Sequence, residues 1–200
     1  MLIGNYYEII LRMKKKILIL LCSALPIFAF SQRFAIKNNL LYDATLTPNL
    51  GIEFGMGKKN TLDINANYNP FEFSNNKMYK HWLVQPELRL WICEKFNRTF
   101  FGIHAHGGEF NVSGVKLPFN IFPSLETYKY QGYFYGGGIS VGYQWILGKR
   151  WNLEASVGGG YARVHYDKYY CKECSPLLES SIYNYWGLTK ATLSIVYFIR

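Results

Sequence analysis

Beyond residue 32 the chain has no apolar run near the ~20 residues a spanning helix needs, and no segment with a sustained helical period. That excludes crossing a membrane by helices and leaves strands as the recurrent element. Charge is scarce as well. Only 18% of the 200 residues are Asp, Glu, Lys or Arg, which is low for a soluble domain, and 13 acidic residues face 22 basic ones. The basic residues are scattered among expected turns instead of forming a patch, so no nucleic-acid partner is indicated. Cysteines number four. Cys22 sits in an N-terminal leader, and Cys93 is expected at the opposite end of the fold from Cys171 and Cys174. What fills the chain instead is 18 Gly, 17 Tyr and 14 Phe, a composition suited to strands and close-packed walls.

The leader is MKKKILILLCSALPIFAFSQ, residues 13–32. Three lysines precede an apolar run from Ile17 to Phe30, and Ala29 and Ser31 have signal-peptidase spacing. Pro26 breaks the run, which is too short for a permanent anchor. Residues 1–31 therefore read as a cleavable signal peptide, with 1–12 an upstream start-codon extension, and 32–200 as the mature domain. Cys22 follows Leu20-Leu21, not the small residue that lipoprotein processing requires. Loss of the leader removes four basic residues and Glu8, and the mature chain stays basic.

Period-two alternation runs through the mature chain. In YFYGGGISVGYQWILGKRW one face reads Tyr133, Tyr135, Gly137, Ile139, Val141, Tyr143, Trp145 and the other Phe134, Gly136, Gly138, Ser140, Gly142, Gln144. Eight such strands are expected, at 34–42, 49–56, 61–69, 81–92, 99–108, 132–147, 151–166 and 185–199. The apolar face of each is matched by a polar one, for example Leu62, Ile64, Ala66 against Asp63, Asn65, Asn67. In a bilayer every backbone polar group needs an internal partner, so spanning strands must close on themselves. The expected fold is all-β, an eight-stranded antiparallel up-and-down transmembrane β-barrel, apolar outside and polar inside. Short turns after strands two, four and six alternate with long connections at 70–80, 109–131 and 167–184, as the up-and-down topology requires. Tyr143, Trp145 and Trp151 then form one interfacial aromatic girdle, and Tyr133 and Tyr135 the other.

The blocks NNLLYDATLTPNLGIEFGMGKKNTLDINANYNPFEF, KHWLVQPELRLWICEKF, FFGIHAHGGEFNV and YQGYFYGGGISVGYQWILGKRWNLEASVGGGYARVHYDKY resemble a domain-of-unknown-function family of small outer-membrane β-barrels from Bacteroidetes. The resemblance implies an outer-membrane barrel and supplies no activity or catalytic residues.

The inward positions include Lys37, Glu53, Asp63, Glu87, Arg89, Glu154 and Lys190, whose mixed signs suggest a lumen filled by ion pairs. A narrow ion path is the alternative use of the same charges. His104 and His106 share an inner face at His-x-His spacing, a metal-binding pattern with no third ligand identifiable, so no metal or cofactor is expected. A lipid-modifying barrel enzyme would need a nucleophile beside one of them. Ser113, Ser140 and Ser156 are candidates that no spacing singles out, and no catalytic residue is assigned. Cys171 and Cys174 suit a small loop disulfide. The glycine runs 136–138 and 158–160 suit close strand approach or a bulge, which leaves the side faced by Arg163 open. The expected partners are outer-membrane lipid, the barrel-insertion machinery, and a surface protein or ligand at the outer loops. The expected role is structural or interactive.

This register makes a test. Leu193→Arg on the lipid face should cost about 2–4 kcal/mol near the midplane, whereas Thr192→Arg should disturb the lumen. A folding titration that finds both changes equally tolerated would overturn the assigned faces.

Overall fold

The computed structural model describes residues 34–73, 77–114, 123–170 and 176–199, all within the unit Arg33–Arg200. The expected signal peptide and the Cys171/Cys174 pair lie outside the described residues. The strands are β1 (Phe34–Asn39), β2 (Asn49–Gly55), β3 (Asn60–Asn69), β4 (Glu72–Phe73), β5 (Lys77–Trp91), β6 (Arg98–Ser113), β7 (Tyr128–Ile146), β8 (Trp151–Tyr170) and β9 (Leu177–Ile199). All pair antiparallel in the order β3-β2-β1-β9-β8-β7-β6-β5, and β3 also pairs with β5. The result is a closed ring of eight strands, with β4 a short continuation beside β5. Among the described residues no helix is long and apolar enough to cross a membrane.

Alternation becomes a wall with two faces because successive side chains point to opposite sides of the sheet. Along β1, Ala35, Lys37 and Asn39 are buried and their neighbours are not. Along β7, Tyr133, Tyr135, Ile139, Val141, Tyr143 and Trp145 are exposed, while Ser140, Gly142 and Gln144 are buried. One end of the ring carries the tight turns 56–59, 92–97 and 147–150. There the turns are tied to one another, Lys95 N donating to Lys58 O at 3.0 Å.

The opposite end departs from the expected lengths. Residues 109–113 and 128–131, expected in a loop, are strand and pair as far as Val112 with Tyr130. Residues 167–170 and 177–184 do the same as far as Tyr169 with Leu177. Cross-strand aromatic contacts hold these extensions, Tyr128 against Tyr170 at 5.5 Å and Tyr130 against Tyr166 at 5.7 Å, with Lys168 Nζ 4.1 Å above the Tyr128 ring. In contrast β1 stops at Asn39, three residues early. The Asn39 side chain accepts the Leu41 N–H at 3.1 Å and caps helix α1 (Leu40–Ala44). The last β1–β9 pair is Asn39 with Ser194, so among the described residues β9 has no strand partner on that side from Leu193 to Leu177.

Two irregularities mark the middle of the wall. Pairing of β5 with β6 is interrupted at Gln85 and Pro86, where proline has no N–H to give. In β9 Thr189 is an extra residue, because Gly158 pairs with Lys190 and Gly159 with Leu188. The glycine runs let these walls approach: a Cβ on Gly138 would lie 2.9 Å from the Gly160 Cα.

The bore has three layers, which corrects the expectation of a lumen polar throughout. At the turn end Trp91, Phe96, Phe100 and Val196 pack together with Phe198 against them. Ring centroids are 4.8 Å apart for Trp91 and Phe100, and 5.1 Å for Phe96 and Phe198. Phe96 comes from a turn, where its φ of 65° folds the ring back under the wall. Charged residues occupy the middle, and the loop end is again apolar. Phe96→Ala should cost about 3–5 kcal/mol, as for other buried aromatics, read as a lowered midpoint in a urea titration of the refolded protein. A change below ~1 kcal/mol would show that the turn does not seal the bore.

Candidate functional site

The seven charged positions expected inside come from six strands and are all at most 4% exposed. The structure brings them into one cluster around Arg89. Its Nε lies 2.5 Å from Glu87, Nη1 3.1 Å from Glu53 and 3.0 Å from Glu154, and Nη2 2.5 Å from Asp63. Lys37 pairs with Glu53, with Glu154 at 2.7 Å and with Asp63 at 3.7 Å. Lys190 reaches Glu87 at 2.7 Å and Asp63 at 3.9 Å. A guanidinium is suited to this place because its five donors are fixed in a plane and its charge is weakly hydrated.

Neutral groups complete the carboxylates. Thr61 donates to Glu53 and receives the Trp91 indole N–H at 2.9 Å. Asn65 donates to Asp63 at 2.7 Å and Ser140 to Glu87 at 2.5 Å. Phe100 lies beneath Arg89, 4.3 Å from guanidinium carbon to ring centroid, joining the charged layer to the aromatic floor. Gly102 leaves room at this level, since a Cβ there would meet Glu87 Oε1 at 2.6 Å and displace it.

His104 and His106 stand at the upper border of the cluster, ring centroids 5.7 Å apart. His104 Nε2 is 2.9 Å from Thr189 Oγ1, the extra residue of β9, and its Nδ1 is 3.9 Å from Glu87. Among the described residues no group of three His, Cys, Asp or Glu is placed to hold a metal. The other two histidines lie elsewhere, His81 against Tyr79 at 4.8 Å and His165 stacked on Tyr133 at 4.7 Å on the outer face.

Two of the three serines have partners other than a histidine. Ser140 gives its hydrogen bond to Glu87, so the carboxylate stands where a base imidazole would have to be. Ser156 is bonded to Thr192 at 2.6 Å, and Ser113 lies seven residues beyond His106 along β6. Cys93 is exposed and free at the turn end.

On the outer face, Tyr143 and Trp145 pack at 4.9 Å and Trp151 and Tyr197 at 4.7 Å near the turns. Tyr133 and Tyr135 lie further up with Tyr161 and Trp186, the latter pair 4.9 Å apart. Arg163 is exposed and faces outward, opposite Asn184, because the extra residue is in β9 and β8 keeps its phase. Sequence reading overlooked the aromatic floor. Strand parity alone would have turned Trp91 inward between Leu90 and Ile92, whereas Phe96, arriving from a turn, has no periodic signal.

The sequence profile of a family described as protein of unknown function (DUF3575) matches residues 16–199. The chain belongs to this family. No curated protein and no solved structure matches it. The cluster sets four carboxylates against three cations inside the ring.

Arg89→Met removes the shared cation and leaves buried carboxylates facing one another, which should cost about 3–5 kcal/mol. Combined with Glu154→Gln, the loss should fall short of the sum of the single effects, because the two residues are in contact. Strict additivity in a double-mutant cycle would show that the ion pairs are not one network.

Proposed function

We propose that this chain is an outer-membrane β-barrel, exported by its N-terminal signal peptide and inserted by the barrel-assembly machinery, whose bore is closed to solutes. Its role is to hold the tall β6–β7 and β8–β9 hairpins at the cell surface for contact with a partner. The observation that carries the reading is the inversion of the two faces. Large apolar side chains such as Leu88, Leu90, Ile103, Ile139, Val157 and Leu188 are exposed around the ring, while Lys37, Glu53, Asp63, Arg89 and Glu154 are buried within it. Water disfavours both halves of that arrangement, and a bilayer favours the first while the ring provides for the second.

Dimensions support it. Between Tyr133 and Tyr143 the apolar side of β7 runs about 33 Å along the strand, or about 25 Å along the ring axis at a tilt of about 40°, the height of an outer-membrane apolar band. Aromatic residues bracket that band at both ends, where amphipathic rings favour the interface. A conducting pore is disfavoured because the salt-bridged layer and the Trp91–Phe96–Phe100 floor lie in series across a bore of only eight strands. A lipid hydrolase is disfavoured by the pairing of Ser140 with Glu87 in place of a histidine.

Expression in a Gram-negative host tests the assignment. Outer-membrane fractions should show a band that shifts on boiling. On intact cells a tag inserted beside Gly114 should be labelled and a tag at Gly148 should not. Recovery of unshifted protein in the soluble periplasm would sink the membrane assignment, and labelling of Gly148 alone would invert the orientation.

A further inference from the structure

Above the charged layer the inner face changes character. Leu83, Phe110, Phe134, Val164, Tyr183 and Tyr185 line a cavity of about 660 Å³ at the loop end, within the ~300–1,000 Å³ typical of small-molecule sites. Its walls are mostly apolar, and its floor carries His106. That side chain is 8% exposed, lines the cavity beside Phe134, and has an Nδ1 without a hydrogen-bond partner. A buried polar atom in an apolar chamber is costly unless something bonds to it.

The strand ladder beside the chamber has a gap. Because β1 ends at Asn39, β9 has no strand partner on that side beyond Ser194 among the described residues; α1 packs against β9 instead, with Leu41 exposed and the Leu193 N–H given to Asn39 Oδ1. Leu188 and Thr189, where the extra residue of β9 falls, belong both to this free edge and to the cavity lining. By strand register the gap begins a few residues above the Lys37–Glu154 level and extends to that of Tyr133, the height of the exposed apolar band. An unpaired strand edge at membrane depth is tolerated only where it lines a cavity, which is its position here.

We propose that this chamber binds one single-chain amphiphile taken from the lipid phase, with its chain among Phe110, Phe134 and Val164 and a small neutral head hydrogen-bonded to His106. A neutral head is favoured over a carboxylate because the layer beneath holds four carboxylates against three cations. The side route rests on the membrane assignment, whereas the chamber itself does not. The charged layer closes the chamber below, so the site retains its occupant and does not conduct it onward.

The test uses the full-length mature barrel in phosphatidylcholine nanodiscs with a diazirine analogue of 1-hexadecanol, and residue-level mass spectrometry after illumination. Labelling should be saturable at Phe134, Tyr183 and Tyr185, competed by unlabelled 1-hexadecanol, and reduced about tenfold or more by Ala162→Trp, which fills the chamber. Val157→Trp, on the outer face, should leave it unchanged. His106→Phe should weaken the alcohol probe several-fold while sparing a diazirine hexadecane. Boiling-dependent mobility identifies folded variants, and Val164→Trp replaces Ala162→Trp if the latter does not shift. Labelling confined to Tyr135, Ile139 and Val141, or indifferent to the filling variants, would overturn the site. Saturable inner labelling of a protein recovered in soluble form would retain the chamber and remove only the side route.

Discussion

One guanidinium holds four carboxylates at the centre of this ring. Arg89 touches Glu53, Asp63, Glu87 and Glu154, which come from β2, β3, β5 and β8. A buried cation is tolerable only when its donors are all met. Here they are met only after strands far apart in sequence have closed on one another. The interaction therefore acts as a check on the whole fold. A slip of one residue in any of these strands turns its carboxylate to the outer face and leaves Arg89 short of a partner. Such a cluster contributes register and closure more than net stability, since an apolar core of equal volume would hold the wall about as firmly.

The layers on either side follow from that constraint. Beneath Arg89 the ring of Phe100 accepts its positive face, and Trp91 passes a hydrogen bond through Thr61 to Glu53, so the aromatic floor is fastened to the charges above it. Above, Lys190 pairs with Glu87 from β9, one residue beyond the bulge. The extra Thr189 changes the phase of the strand, putting Lys190 and Tyr185 both inside although they are an odd number of residues apart. It also supplies the hydroxyl that meets His104. Gly102 and Ser140 leave room for Glu87 where a larger pair would displace it.

Much of this was legible in the sequence for a simple reason. A strand's two faces are written with period two, so the inward set Lys37, Glu53, Asp63, Glu87, Arg89, Glu154 and Lys190 can be read without knowing which strands are neighbours. The partners of each charge cannot be read that way, because pairing across the bore depends on the stagger of the closed ring. Phe96 was invisible for another reason, since a positive φ in a turn, not a periodic pattern, carries it inside. The loop-end extensions were hidden because stretches such as Asp167-Lys168-Tyr169-Tyr170 and Glu179-Ser180-Ser181 show no alternation of apolar and polar residues. The early end of β1 depends on a single side chain, Asn39, which caps α1 where the alternation of residues 40–42 still reads as strand.

That single cap has the largest functional consequence. Had β1 run on beside β9, the wall would be complete and the apolar chamber would open only at the loop end, to water. Ending β1 at Asn39 leaves β9 without a strand partner on one side among the described residues, with the short helix α1 against it, while the extended β6–β9 wall lines the chamber. A wall complete on one side and low on the other has no benefit for a plug, whose charged layer is already closed around Arg89 below the gap. It is useful to a vessel that fills from the side. In the proposed function the charged layer and the chamber are thus complementary: the first closes the bore, and a closed bore gives the second its floor.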